Sequence, residues 1–277
     1  MQREDLLCTP QELSGLIRAG QVTVLDCRFN LLEPGQGHAQ YREAHIPGAA
    51  YVHLDDDLSA PIGPQTGRHP LPDPEDAVAL FAAKGVNSGT PVVVYDSDSG
   101  AIAARAWWML RWLGHQDVRL LEGGFSAWQA QRFAVEPGDA VPAAGKFESS
   151  VAEGWVIGVE DVVQGLTIPL VDARAEGRFA GVHEPIDPVA GHIPGAVNLP
   201  FDRLLNADGR FLAEEHLAQI WVDTVGDDRD VAVMCGSGVT ACHLVISALL
   251  AGRPSPRLYA GSWSEWIRDA TRPIASD

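Results

Sequence analysis

The chain has 277 residues, of which 46% are hydrophobic and 21% are charged, and its formal net charge at pH 7 is −17. This length is sufficient for two medium-sized domains with separate cores. Because the charge is acidic and the sequence contains no basic stripe, neither nucleic acid nor an acidic membrane surface is an expected partner.

The beginning of the chain, MQREDLLCTP, contains acidic residues and lacks the apolar region of a secretory signal. No apolar run approaches the ~20 residues that span a bilayer. The cysteines are too few and too irregularly spaced for a disulfide framework, which favours reduced thiols: Cys8, Cys27, Cys235 and Cys242. We therefore expect a cytoplasmic protein that does not associate with membranes.

In chain order, the first half alternates between apolar runs typical of strands and patterns typical of helices. The predicted strands cover 22–27, 91–96 and 118–122, and the predicted helices cover 101–114 and 125–131. Continuously apolar strands that alternate with helices are typical of a parallel sheet covered on both faces. The sequence therefore predicts an α/β fold with a mainly parallel sheet.

The second half repeats this series. VLDCR (24–28) matches LVDAR (170–174), AHIPGAAYV (44–52) matches GHIPGAVNL (191–199), PVVVYD (91–96) matches DVAVMC (230–235), and LLEGGFSAW (120–128) matches LYAGSWSEW (258–266). The order is preserved, so the chain is one fold written twice. We predict two similar domains, 1–140 and 150–277. They are joined by the Pro-, Gly- and Ala-rich segment 135–154, with the boundary near residue 145.

The two copies differ at the end of one strand. In the second copy a predicted strand ends at Cys235, which opens the loop CGSGVT (235–240) before a predicted helix; in the first copy Asp96 holds this position. Amides at a helix N-terminus stabilise a thiolate, and the two glycines allow the loop to turn its amides inward. The loop is therefore predicted to be an anion-binding nest, with the hydroxyls of Ser237 and Thr240 as further donors.

The residues around Cys235 do not have the spacing that several other classes of cysteine-dependent protein require. A cysteine phosphatase needs an arginine six residues after the cysteine, where this chain has Ala241. No C-x-x-C pair indicates a zinc site or a thioredoxin-like centre. A buried structural cysteine and a Cys–His hydrolase both stay open as alternatives, because the histidine of a hydrolase can come from anywhere in the sequence.

Together, the CGSGVT loop, the repeated HIPGA, the Asp-x-Arg strand ends and the GG-F-x-x-W and G-S-W-x-x-W segments resemble the tandem-domain rhodanese-type sulfurtransferases over nearly the whole chain. The uncharged loop is similar to that of the 3-mercaptopyruvate branch, whereas thiosulfate-using members carry basic side chains there. The resemblance implies that Cys235 accepts a sulfur atom as a persulfide and passes it to a thiol, thioredoxin or cyanide, with no metal or organic cofactor. The substrate- and persulfide-binding loop would then be Gly236, Ser237, Gly238, Val239 and Thr240.

The same resemblance implies how the donor's carboxylate is held. Arg178 matches an arginine that the family uses for this purpose. The mercaptopyruvate branch has a second arginine in the segment leading to GHIPG, where Ile186 stands in this chain. Thiosulfate or another small sulfane donor therefore remains an alternative, and so does a rhodanese-like binding or regulatory module without catalysis.

In animal members of the family a Ser-His-Asp relay has been proposed. The matching residues are Ser237, His69 and Asp55, and because the last two belong to the first copy, the relay would cross the domain interface. Features present in both copies are expected to be structural: the histidines His45 and His192 and the pairs Asp26–Arg28 and Asp172–Arg174. Two complementary domains in one chain lead us to expect a monomer.

Overall fold

The computed structural model describes residues 1–227 and 230–276 and consists of two compact units. The first unit contains Met1–Ala60, Pro72–Ala152 and Ala207–Arg210, and the second contains Pro61–Leu71, Glu153–Asn206 and Phe211–Asp277. Each unit is formed mainly by one half of the chain. Two short segments, Pro61–Leu71 and Ala207–Arg210, group with the unit formed mainly by the other half.

The first unit is built on a five-stranded parallel sheet. Its strands are β1 (Leu7–Cys8), β2 (Thr23–Asp26), β3 (Ala50–Tyr51), β4 (Val92–Tyr95) and β5 (Val118–Leu121), in the order β1-β5-β4-β2-β3. Its helices are α1 (Arg3–Leu6), α2 (Pro10–Ala19), α3 (Gly35–Glu43), α4 (Pro74–Ala83), α5 (Ala103–Trp112) and α6 (Gly124–Ala130). All four residues of β4 are buried, as expected for a central strand with helices on both sides.

The second unit repeats this sheet. Its strands are β6 (Val156–Ile157), β7 (Leu170–Asp172), β8 (Val197–Asn198), β9 (Ala232–Met234) and β10 (Arg257–Tyr259), in the order β6-β10-β9-β7-β8, and all pairs are parallel. Its helices are α7 (Val159–Gln164), α8 (Glu176–Phe179), α9 (Glu214–Val225), α10 (Thr240–Leu250) and α11 (Ser262–Trp266), with a 3₁₀ turn at Phe201–Leu204. The predicted fold class and the predicted repeat are therefore confirmed.

Each unit contains the same buried anchor at the end of a strand. In the second unit Arg174 donates to both carboxylate oxygens of Asp172, and also to the carbonyl of Gly191 at 2.8 Å. In the first unit Arg28 makes the same bonds to Asp26 and to the carbonyl of Ala44. These groups connect a strand end to the turn that precedes the next strand.

The repeated histidines also bond to backbone. One ring nitrogen of His45 lies 2.9 Å from the carbonyl oxygen of Tyr41, and one of His192 lies 2.9 Å from that of Phe179. Both histidines are buried. The two equivalent positions thus carry equivalent packing contacts. Within the described residues, no helix has both the length and the apolar character needed to cross a membrane.

Candidate active site

The reactive centre suggested by the sequence lies where β9 ends in the second unit. Cys235 is the first residue after this strand, and its amide donates to Ser262 Oγ at 3.1 Å. The carbonyl of Cys235 accepts from Trp263 N at 3.0 Å, and that of Gly236 accepts from Ser264 N at 2.9 Å. The backbone on both sides of the sulfur is therefore held by the first turn of α11.

The loop turns its amides toward the sulfur. Ser237 N lies 3.4 Å and Gly238 N lies 3.1 Å from Cys235 Sγ, and both are placed to donate to it. Gly238 has a φ of 76°, and a Cβ at this position would lie 2.3 Å from the carbonyl oxygen of Ala260, so glycine is required. Amide donors favour the charged form of the group that they face. The geometry thus suits a thiolate or a persulfide.

Two arginines lie against the residue that follows the cysteine. A Cβ built on Gly236 would lie 3.0 Å from Nη2 of Arg68, and 3.3 and 3.5 Å from Nη2 and Nη1 of Arg178. The guanidinium groups are partly exposed, with 22% of the Arg68 side chain and 16% of the Arg178 side chain accessible. A pair of guanidinium forks beside a nucleophile can bind a small anion such as a carboxylate.

Two acidic side chains hold the arginine pair. The carboxylate of Asp187 accepts from Arg68 Nη1 and from Arg178 Nη2, and that of Glu184 accepts from Arg178 Nε at 2.9 Å on both oxygens. Burial raises the pKa of Asp187, and the two guanidinium groups oppose this rise. Burial would also raise the pKa of Glu184. However, the bonds from Arg178 and from two backbone amides outweigh burial and bring this pKa below its ordinary value.

A histidine lies next to the loop serine. His69 Nδ1 is 2.7 Å from Ser237 Oγ, and both residues are buried. The sequence analysis assigned His69 to the first copy. The segment Pro61–Leu71, which contains His69, groups with the second unit, so this contact lies within that unit. The segment is held because Arg68 N donates to Ser264 Oγ at 3.0 Å.

Asp55, the third member of the predicted relay, lies in the first unit and is half-buried. Burial raises the pKa of its carboxyl, and the nearby His53 partly opposes this rise. Of the remaining residues of the loop, Val239 is buried and Thr240 begins α10.

Sequence reasoning missed three of the charged groups at this site. Ile186, where a second arginine was expected, is 37% exposed, whereas Arg68 from a distant segment lies beside Gly236. Asp187 and Glu184 were also missed. The signal available in the sequence was the position of Arg68 immediately before His69, a candidate relay residue.

A thiol held by backbone amides at a strand end, with guanidinium groups beside it, defines a thiol-dependent group transferase on an α/β fold. Comparison with known proteins identifies the family. The rhodanese-like domain family matches the chain twice, at residues 9–131 and 159–269. This chain therefore belongs to the rhodanese family, as a tandem-domain sulfurtransferase.

Individual relatives match over almost the full length. A probable 3-mercaptopyruvate sulfurtransferase of Pseudomonas aeruginosa is 48% identical over 98% of both chains. A putative thiosulfate sulfurtransferase of Mycobacterium tuberculosis is 40% identical over 98% of this chain and 97% of its own. The solved 3-mercaptopyruvate sulfurtransferase of Leishmania major is 32% identical, with a TM-score of 0.87 over 97% of this chain and 75% of its own. The relatives are enzymes, and the alternative of a non-catalytic module is set aside.

Proposed function

We propose that this chain transfers a sulfur atom from 3-mercaptopyruvate through a persulfide on Cys235 to a thiol, thioredoxin or cyanide. One observation carries the proposal: the sulfur of Cys235 faces two backbone amides of its loop, and two guanidinium groups lie beside Gly236, the residue that follows the cysteine. The amides suit a sulfur anion, and the arginines suit the carboxylate of an α-keto acid. Relatives that carry this activity in their names support the same donor.

In the first step the Cys235 thiolate attacks the sulfur of the donor. A sulfur–sulfur bond forms, the carbon–sulfur bond breaks, and its electron pair passes to the carbon as the enolate of pyruvate. The enolate takes one proton to give pyruvate, and the donor's thiol proton is released when the persulfide ionises, so the charges balance. Arg68 and Arg178 would hold the donor's carboxylate while the loop amides of Ser237 and Gly238 stabilise the sulfur anion.

The Ser237 hydroxyl is suited to polarising the donor's keto oxygen. A hydroxyl has a single proton, so it can donate to the keto group only when His69 Nδ1, 2.7 Å away, is the donor in their shared bond. We therefore assign the proton to Nδ1 of His69. We propose Asp55 as the third member of this relay. The kcat of Asp55→Asn tests this role.

In the second step an acceptor thiolate attacks the outer sulfur of the persulfide. The bond between the two sulfur atoms breaks, and its electron pair returns to Cys235 as the thiolate. Cyanide reacts in the same way and leaves as thiocyanate. Each acceptor completes the cycle without an external oxidant or reductant, so neither step needs a redox cofactor.

Thiosulfate is the second candidate donor. The Mycobacterium tuberculosis relative, 40% identical to this chain, is named for that substrate. The chemistry on Cys235 is the same, with sulfite as the leaving group. Guanidinium groups bind carboxylate and sulfur oxyanions alike, so the arginine pair supports either donor.

We further infer a monomer in the cytoplasm. All four cysteines are free of disulfide bonds, which suits a reducing compartment. A single chain already contributes both rhodanese-like domains.

The test is the mass of the intact protein after brief exposure to 3-mercaptopyruvate or to thiosulfate, with Cys235→Ser as the control. We expect the wild type to gain the mass of one sulfur atom, more rapidly from 3-mercaptopyruvate, and the variant to gain nothing. Sulfur gained equally by the variant would remove Cys235 from the mechanism. Faster gain from thiosulfate would reverse the order of the two donors.

A further inference from the structure

The arginine pair beside Cys235 already binds an internal carboxylate. Asp187 accepts from Arg68 through one oxygen and from Arg178 Nη2, at 2.9 Å, through the other. Only 2% of its side chain is exposed. The carboxylate of Asp187 therefore makes the type of bridging contact that a donor's carboxylate would make with the same two groups.

The position of Asp187 is set by its own backbone. Its amide donates to Glu184 Oε1 at 3.1 Å, and Glu184 in turn binds Arg178 Nε. Two guanidinium groups therefore face two carboxylates, and the formal charge of these four residues is zero. Arg68 Nη2 and Arg178 Nη1, which lie beside Gly236, are not the nitrogens that make these bonds, so they can donate to an external ligand.

We propose that Asp187 is a specificity-determining residue that reduces the affinity of the arginine pair for anions and disfavours divalent ones. The Coulomb repulsion between its carboxylate and a bound anion scales with the charge of that anion. Asp187 thereby lowers the affinity for divalent thiosulfate more than the affinity for a donor with a single carboxylate. The inference rests on the proposed function because it places the donor at Arg68 and Arg178.

The test measures the binding of pyruvate and of sulfate by titration calorimetry, using Cys235→Ser protein with and without Asp187→Asn. Removing the carboxylate should tighten pyruvate binding about tenfold and sulfate binding about a hundredfold, because the repulsion doubles with the ligand's charge. Asp202→Asn removes an exposed carboxylate from the same unit and should change neither affinity. Weaker binding of both anions, or an equal gain for both, would show that Asp187 only positions the arginines.

A second variant keeps the inference testable if Asp187→Asn unfolds. Asp187→Ser, which leaves room for water, should give the same larger gain for sulfate than for pyruvate, and an equal gain for both would overturn the inference.

Turnover separates this inference from the proposed function. Asp187→Asn with Cys235 intact should raise the ratio of kcat/KM for thiosulfate to kcat/KM for 3-mercaptopyruvate about tenfold. An unchanged ratio would contradict the inference. If the wild type turned over neither donor, the proposed function would fail, whereas the calorimetric comparison would still decide the role of Asp187 in anion binding.

Discussion

In both units, backbone amides at the end of a central strand donate to a side chain, but that side chain differs between the units. After β4, the carboxylate of Asp96 accepts from four backbone amides at 2.9 to 3.2 Å: Asp98, Gly100, Ile102 and Ala103. After β9, the single sulfur of Cys235 accepts from two. Both joints bind a negative group, as expected where amides gather before a helix. In the first unit that group is a carboxylate, which has no sulfur to accept or transfer. We therefore interpret this strand-to-helix loop as structural.

The residues around these two strand ends also differ between the units. His45 stacks on Tyr41 as His192 stacks on Phe179, and this register places Gln40 where Arg178 stands in the second unit. The Gln40 side chain is exposed, whereas Arg178 is bound to Glu184 and Asp187. The buried Asp–Arg anchor is present in both units, whereas the arginine that we propose to bind the donor is present in one. We therefore expect packing to require the anchor and donor binding to require the arginine.

Replacing the cysteine of the second unit with the aspartate found in the first gives the largest expected effect. Cys235→Asp would place a carboxylate against the loop amides, as in the first unit, and we expect sulfur transfer to fall about 10⁴-fold because no nucleophilic sulfur remains. The measurement is steady-state pyruvate release from 3-mercaptopyruvate. Cys8→Ala, which removes a buried thiol from the first unit, is the control and should keep its activity. Residual activity within tenfold of the wild type would contradict the comparison.

Breaking the anchor tests whether it is structural in both units. Asp172→Asn and Asp26→Asn each leave a buried arginine without its carboxylate, which should lower the free energy of unfolding by about 3–5 kcal/mol. Asp26→Asn should cost more, because Tyr95 also donates to Asp26, at 2.6 Å. Chemical denaturation measures both variants, with the exposed Asp202→Asn as the reference. A loss below about 1 kcal/mol in either unit would show that the anchor there is dispensable.

Replacing Arg178 with an uncharged side chain tests its proposed donor-binding role. Arg178→Leu removes charge-assisted bonds to the donor, and we expect kcat/KM for 3-mercaptopyruvate to fall about a hundredfold, mainly through KM. The exposed Arg203→Leu in the same unit is the matched control. If both variants had the same kinetics as the wild type, Arg178 would not contact the donor.

The smallest effect is a pH dependence of the acidic residues around Arg178. The pKa of Glu184 is lowered in the folded protein, so its stabilising contribution is complete above its ordinary pKa. This contribution is lost as the pH falls through the lowered value. Glu184→Gln should therefore lower stability by on the order of 1 kcal/mol at pH 7, with a smaller difference from the wild type at strongly acidic pH.

The measurement is urea denaturation at several pH values, with the exposed Glu160→Gln as the control. A difference between Glu184→Gln and the wild type that grows toward acid would reverse the sign and contradict the assignment.

Much of this architecture could be predicted from local sequence. The apolar runs became parallel strands, and the repeated Asp-x-Arg and HIPGA segments became equivalent anchors in the two sheets. Cys235 could be selected because a thiol at a strand-to-helix joint, next to glycines, has a local signature. The contact between Arg68 and Asp187 has no local signature, because the two residues are 119 positions apart in the chain. Their pairing depends on where the segment Pro61–Leu71 packs.

The sequence by itself determined the two-fold repeat, the parallel α/β class and the position of the thiol, because periodicity and turn residues act over a few positions. Only the tertiary structure decided which charges lie beside the residue that follows that thiol. It brought Arg68 beside Gly236 and His69 beside Ser237, and it placed Asp187 between two guanidinium groups. Charge and hydrogen bonding act through space over a few ångströms, and a linear pattern contains no record of distances between remote segments.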